Sequence, residues 1–266
     1  MLRLLFLFLW ANSAFAQLFF EGTGAQNWAM AHSLVAVPHT QSFFGNSAGI
    51  VAKEGLSLQS SIDSRFQIPG LNTSSLAINW TKNNWGLALG GLHFGDRQYS
   101  ENSFGLALAK KLNGITLSVK VEALGSFAEN YASRNTLITS FGLLAQVLPK
   151  IHIGFHARNL SNAKLSAFEP LPTILRFGLA YRPISALLFT SECQYITNGQ
   201  FSFRNGLEYK IRNQFFVRSG IDFSRKTNHF GIGYAYKKWQ IDYAVNTHPY
   251  LGISHHASLD FHISDL

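Results

Sequence analysis

From residue 55 onward, apolar and polar side chains alternate with a period of two. Ile115, Leu117, Val119, Val121 and Ala123 share one parity, and Thr116, Ser118, Lys120 and Glu122 take the other. Leu175, Phe177, Leu179 and Tyr181 likewise oppose Arg176, and Phe203, Leu207 and Tyr209 oppose Arg204 and Glu208. Val217 and Ile221 oppose Arg218 and Asp222, while Ile153 and Phe155 oppose His152, His156 and Arg158. Successive side chains of a strand point to opposite faces, so each run is a two-faced strand. Pro69-Gly70, Asn83-Asn84, Asn113-Gly114, Pro149-Lys150 and Asn198-Gly199 supply turn chemistry between runs. The pattern predicts strands near 56–67, 71–82, 85–95, 101–111, 114–127, 134–147 and 151–160. It predicts a second set near 172–182, 185–196, 200–212, 214–225, 228–237, 239–247 and 255–263. That makes about 14 antiparallel strands of roughly ten residues, long enough to cross a bilayer at a tilt. Runs 85–95 and 134–147 are noisier, with apolar residues on both parities.

Alternation alone fits a soluble sandwich as well as a barrel in lipid, and composition separates the two. Only 14% of the 266 residues are charged, against 47% hydrophobic and 14% aromatic; a soluble domain carries about 25% charge. The charges keep to one parity: Arg65, Lys120, Glu122, Arg158, Arg176, Arg204, Glu208, Arg218 and Asp222 are the candidate lumen residues. A Lys or Arg facing the bilayer midplane costs about 2–4 kcal/mol, so a lipid face excludes them. Trp80, Trp85, Tyr181, Phe201, Tyr209, Phe215 and Trp239 lie near run ends, where outer-membrane barrels carry aromatic girdles. Sandwich strands are also shorter, about 5–6 residues. The expected fold is therefore all-β: a transmembrane antiparallel up-and-down β-barrel, with outer-membrane lipid as its first partner. The net charge of +8 comes from cations spread over alternating positions rather than gathered in a stripe, which argues against nucleic acid. Basic loops facing anionic headgroups account for it.

The amino-terminal end reads differently. Met1 to Ala16 combines Arg3, an apolar stretch from Leu4 to Trp10 and the small-x-small site Ala14-Phe15-Ala16, the pattern of a cleaved signal peptide. Residues 17–54 do not alternate, and the barrel is expected over 55–266. Gly24-Ala25, Ala29-Met30 and Val35-Ala36, followed by Asn46-Ser47-Ala48-Gly49-Ile50, resemble the opening of the PorV/PorQ group of FadL-like outer-membrane proteins. Those proteins carry Gly-Ala…Ala-Met-Gly-Gly-Ala…Val-Ala and then Asn-Pro-Ala-Gly-Leu; here Ala31-His32 replaces Gly-Gly, and Ser47 replaces Pro. Arg158-Asn159-Leu160 with Leu171-Pro172-Thr173 to Arg176 and Gly178 resembles a further family stretch. The resemblance implies a 14-stranded barrel with the amino-terminal segment folded into the lumen. Trp28, Met30, Leu34, Val35, Asn46 and Gly49 are the candidate plug residues. Trp28, Met30, Leu34, Val35 and Phe43-Phe44 are too apolar for a solvated tail.

Little in the chain points to catalysis. His152 and His156 share a face, but four residues of strand separate them by about 13 Å, too far to bind one metal. Ser254, His255, His256 and Ser258 lack an orienting acid and a strained nucleophile turn. Cys193 shares the parity of Phe189 and Tyr195 and reads as a small apolar residue. No enzyme activity, cofactor or metal is expected. The resemblance implies an accessory or shuttle subunit of type IX protein secretion, partnered by a larger outer-membrane protein. The alternative is a FadL-like or porin-like passive transporter of small or hydrophobic solutes. Ser161 to Leu171, the longest linker, is the candidate partner-binding or gating loop.

Overall fold

A computed structural model describes residues 22–166, 169–197, 199–212 and 214–264; the signal-peptide reading at 1–16 lies outside the described residues. The chain forms a closed barrel of 14 antiparallel strands. The first seven are β1 (Gly55–Ser64), β2 (Asn72–Lys82), β3 (Trp85–Gly95), β4 (Tyr99–Leu112), β5 (Ile115–Ala128), β6 (Arg134–Leu148) and β7 (Ile151–Arg158). A two-stranded hairpin, β8 (Lys164–Ser166) with β9 (Glu169–Pro170), interrupts the wall. The barrel resumes with β10 (Ile174–Ile184), β11 (Leu187–Ile196), β12 (Gln200–Ile211) and β13 (Phe215–Asp222). It ends with β14 (Thr227–Tyr236), β15 (Trp239–His248) and β16 (Gly252–Ile263). Each strand pairs with its neighbours in sequence, β7 pairs β10, and β1 closes on β16 from Leu56↔Ile263 to Ser64↔His255. Closure leaves no sheet edge, which lipid requires of a spanning sheet.

The two ends of the barrel differ. The turns 83–84, 113–114, 149–150, 185–186 and 237–238, with 212 and 214, gather at one end, with the approach to β1. Asn83 and Asn84 both adopt positive φ, 51° and 65°, as a two-residue type I′ hairpin turn demands. The other end carries 65–71, 96–98, 129–133, 159–166 with 169–173, 197 with 199, 223–226 and 249–251.

Burial alternates along the walls as the side-chain parity dictates: β2 reads exposed-buried throughout, and β14 nearly so. Outward stand Leu76, Trp80, Phe104, Phe177, Phe230 and Ile232; the aromatics read as a girdle are exposed near strand ends. The inward faces of β3 and β6 are the exception that made those runs noisy. Phe94, Leu92 and Ile138 point inside and pack with Leu124 and, less deeply, Phe44. The linker read as a partner-binding or gating loop, Ser161 to Leu171, is partly folded down among its described residues: Ala163, Leu165 and Leu171 pack on that same inward cluster. Asn159 holds the fold of this loop, its side-chain amide donating to the Leu171 carbonyl at 2.7 Å.

Candidate functional site

Residues 22–52 pack against inward-facing side chains around the barrel. They contain one short helix, α1 (Ala25–Ala29), and two 3-10 turns, Thr40–Phe44 and Ser47–Ala52. Such irregular backbone leaves many N–H and C=O groups without secondary-structure partners, and these need partners when buried. Charged and polar side chains of the barrel supply several of them and bind segment side chains too. Arg176 Nη2 donates to the His32 carbonyl at 2.6 Å, and Glu192 Oε2 accepts the Val35 N–H at 2.9 Å. Lys120 Nζ donates to the Phe43 carbonyl at 2.9 Å. Asp260 accepts from the Gln41 amide at 2.8 Å, and Thr81 donates to the Ile50 carbonyl at 3.1 Å. Asn46 works from the segment's side: its amide donates to the Val35 and Leu143 carbonyls, and its oxygen caps the Ala48 N–H.

Apolar contacts complete the seat. Met30 and Leu34 pack with Ala180 and Leu188, and Phe43 and Ile50 with Ala77, Ala88, Ala107 and Ala109. Val35 approaches β7 so closely that a Cβ on Gly154 would run into its carbonyl. Gly49 lies against the Ser42 side chain with no room for a Cβ. Trp28 stacks on His256 at 3.9 Å between ring centroids, meets the His32 ring edge-on at 4.4 Å and carries the Arg65 guanidinium over its face at 5.4 Å. His256 in turn contacts Asp63 at 3.0 Å and Asn246 at 2.8 Å. Sequence alone singled out Trp28 and Arg65 separately but not their contact, and the stack on His256 joins residues more than two hundred positions apart.

Most of the interior arginines are paired with acids on nearby strands. Arg218 sits between Glu208 and Asp242, 2.6 Å from each. Arg204 meets Asp222 at 3.1 Å and Gln194 at 3.3 Å, and Arg176 meets Glu192 at 2.5 Å. Glu122 is shared by Lys120 and Arg158, each at 3.3 Å. His156 lies buried on the inward face and His152 is half-buried near the turn end. Among the described residues, no three His, Cys, Asp or Glu side chains come together as a metal-ligand set.

Two concavities accompany this interior. A groove of about 1180 Å³ runs along the outside of β1 to β5. Small outward residues, Ser60, Ser74, Gly91, Ala123 and Gly125, lie among larger ones such as Leu58, Ile62, Leu76 and Phe104. The inward-facing Leu92 and Leu124 also line it, and both belong to the apolar cluster of Phe94 and Ile138. A smaller cavity of about 110 Å³ lies at the turn end, between Pro38, Val51 and Ala52 of the segment and Lys111, Thr116, Gln146 and His152 of the wall. That end is strongly basic. Its turns are flanked by Lys82, Lys110, Lys111, Lys150 and Arg182, then by Lys210, Arg212, Lys237 and Lys238, and Lys53 precedes β1. Among the described residues, the exposed acid at this end is Glu54. The loop end mixes signs, with Asp96 beside Arg97 and Asp222 beside Arg225.

No protein-family profile matches the sequence, and no curated protein matches it. The fold is similar to a solved deletion mutant of TodX, described as a monoaromatic hydrocarbon channel. That likeness has a TM-score of 0.67 at 11% identity over 91% of this chain and 98% of that one. A second TodX deletion mutant gives 0.60 at 12% identity, over 90% of this chain and 97% of that one. The outer membrane protein Omp33 of Acinetobacter baumannii gives 0.53 at 5% identity, over 80% and 100%. None of these three is a PorV/PorQ protein. At such identities the likeness is one of fold, and the fold is an outer-membrane β-barrel.

Proposed function

We propose that this chain is a passive outer-membrane transporter of small hydrophobic solutes, with the short-turn end in the periplasm and the amino-terminal segment closing the lumen to ions. The observation that carries it is the juxtaposition at β3 to β5. An apolar groove in the lipid-facing wall backs directly, through Leu92 and Leu124, onto an apolar interior cluster capped by Leu71, Leu165 and Leu171. An uncharged solute finds apolar surface on both sides of a wall thinned by Gly91 and Gly125, whereas an ion meets an interior whose arginines are matched by acids. Barrels of this type place short turns in the periplasm and longer loops outside, which supports this orientation. The TodX structure's description as a hydrocarbon channel supports the same reading.

The test is uptake of 1-N-phenylnaphthylamine, a dye that fluoresces in apolar surroundings, by cells with an intact outer membrane. Expression of the protein should raise uptake severalfold, and Gly91→Phe, which fills the groove with an outward ring, should return it to the empty-vector rate. Equal rates for both forms would overturn the proposal. The second reading is the secretion-accessory subunit that the PorV/PorQ resemblance implies. The tethering of the segment by Arg176, Glu192 and Lys120 favours it, since a barrel filled this firmly serves as a binding body without conducting. Background uptake together with stable co-purification of a larger outer-membrane protein would select it.

A further inference from the structure

We propose that the periplasmic mouth is a docking site for an acidic polypeptide segment, with one of its carboxylate side chains seated in the cavity between Lys111 and His152. The proposal holds under either reading of the function, because it concerns the end of the barrel rather than its wall groove.

Charge balance is the first argument. Deep inside the barrel the arginines are matched by acids: Arg218 meets Glu208 and Asp242, Arg204 meets Asp222, and Arg176 meets Glu192. At the mouth the balance fails, and cations flank every short turn with Glu54 as the exposed acid among the described residues. Neighbouring turns are two strands apart, about 10–12 Å for strands spaced ~4.8 Å and tilted. That is close to the Debye length of ~8 Å at physiological salt, so their potentials overlap into one positive ring.

Parity then separates two groups of cations. Lys82 and Lys110 lie on the lipid-facing parity, and Lys110 stands over the Trp85 ring at 4.2 Å, where it reaches phospholipid headgroups beside the aromatic girdle. Lys111, Arg182 and Lys210 fall on the inward parity and border the opening, out of reach of the bilayer. Headgroups therefore account for the first group and leave the second without a counter-charge.

Size selects a polyanion over a small anion. The mouth is about 28 Å across, from 14 strands at ~4.8 Å spacing and ~40° tilt. A lone phosphate or carboxylate spans one turn of that ring, whereas an extended acidic peptide crosses it. The cavity of about 110 Å³ provides an anchor: Lys111, Thr116, Gln146 and His152 offer polar groups to a single acidic side chain. Its far wall is Pro38, Val51 and Ala52, so a docked segment touches the amino-terminal segment directly.

The test uses the full mature chain folded in phosphatidylcholine nanodiscs and a fluorescent 20-residue polyglutamate peptide. We expect one peptide per barrel, with affinity falling at least tenfold between 50 and 200 mM salt. Lys111→Gln with Arg182→Gln should weaken binding at least tenfold, and Lys82→Gln with Lys110→Gln less than threefold. All four residues are at the surface, and slow migration of unheated samples on a gel verifies folding. Equal losses in the two double variants would overturn the proposal in favour of diffuse attraction. So would competition by free glutamate or inorganic phosphate at the same residue concentration as the peptide, which indicates a small-anion site. Loss of peptide binding when phosphatidylglycerol is added to the nanodisc would likewise overturn it, assigning the ring to lipid.

Discussion

The walls formed by β10–β15 and by β2–β4 hold the same amino-terminal segment by different means. Along β10–β15 the inward face is ionic: Arg176, Glu192, Arg204, Glu208, Arg218, Asp222 and Asp242 pair across strands, and two of them also reach segment backbone. Along β2–β4 the inward face is nearly featureless, with Ala77, Ala88, Gly90, Gly105, Ala107 and Ala109 opposite Phe43 and Ile50. The first wall adds charged directional bonds to its packing on the segment, and the second relies mainly on close packing of rings on small residues. The difference teaches where each wall is vulnerable. An ionic wall fails when one charge is lost and its partner is stranded. A packed wall fails when volume changes.

The strongest break is Arg218→Met. Glu208 and Asp242 would remain buried without their shared cation, and breaking a buried pair in this way destabilises by about 3–5 kcal/mol. Urea unfolding in lipid vesicles, followed by tryptophan fluorescence, should report that loss. Adding Glu208→Gln and Asp242→Asn should restore most of it, because the stranded charge rather than the lost bond dominates. A loss under about 1 kcal/mol in the single variant would mean the network is solvated and the two walls are energetically alike.

A volume test sharpens the packed wall. A Cβ built on Gly90 collides with the Phe43 ring, so Gly90→Val should cost about 1–3 kcal/mol by overpacking. Phe43→Ala alone should cost about 3 kcal/mol through the cavity it leaves. The double variant should fall well short of the sum, with a coupling of about 1 kcal/mol or more, since the valine occupies space the ring vacates. Strict additivity would show that Phe43 does not bear on β3. The same cycle built on Arg204 and Gly90, on opposite walls, should be additive.

These two walls also differ in how far they could be read beforehand. The ionic one was legible residue by residue, because a charge on one parity of a strand has a single tolerable side in lipid. Arg176, Arg204, Glu208, Arg218 and Asp222 stand inside for that reason, though which carboxylate meets which cation depends on register, which alternation does not specify. The packed one was legible only as noise. Ala88, Leu92 and Phe94 blurred the alternation of β3 because their inward neighbours are apolar segment and loop residues, far away in sequence. The groove was invisible for a related reason: Gly91, Ala123 and Gly125 become a concavity only when β3 and β5 are set across β4. The basic mouth needed the closed topology too, since it collects one or two cations from each of several distant turns.

The smallest expected effect lies outside both interiors, at the loop end of the packed wall. Asp96 follows β3 and accepts the N–H groups of Gln98 and Tyr99 at 2.8 and 3.1 Å. These bonds favour the ionised carboxyl and hold its pKa below the ordinary aspartate value, against a minor opposing effect of burial. Because the folded pKa lies below the unfolded one, the carboxylate's contribution to stability is fully present above the ordinary aspartate range. It is lost as pH falls through the lowered folded value. Asp96→Asn should therefore narrow the stability difference between neutral and acidic solution slightly, and leave neutral stability within the range of an exposed turn. The check is the difference between wild-type and Asp96→Asn unfolding midpoints across an acid titration. If the difference stays constant with pH, the loop bonds are not charge-assisted, and the turn after β3 contributes nothing to the barrel's pH response.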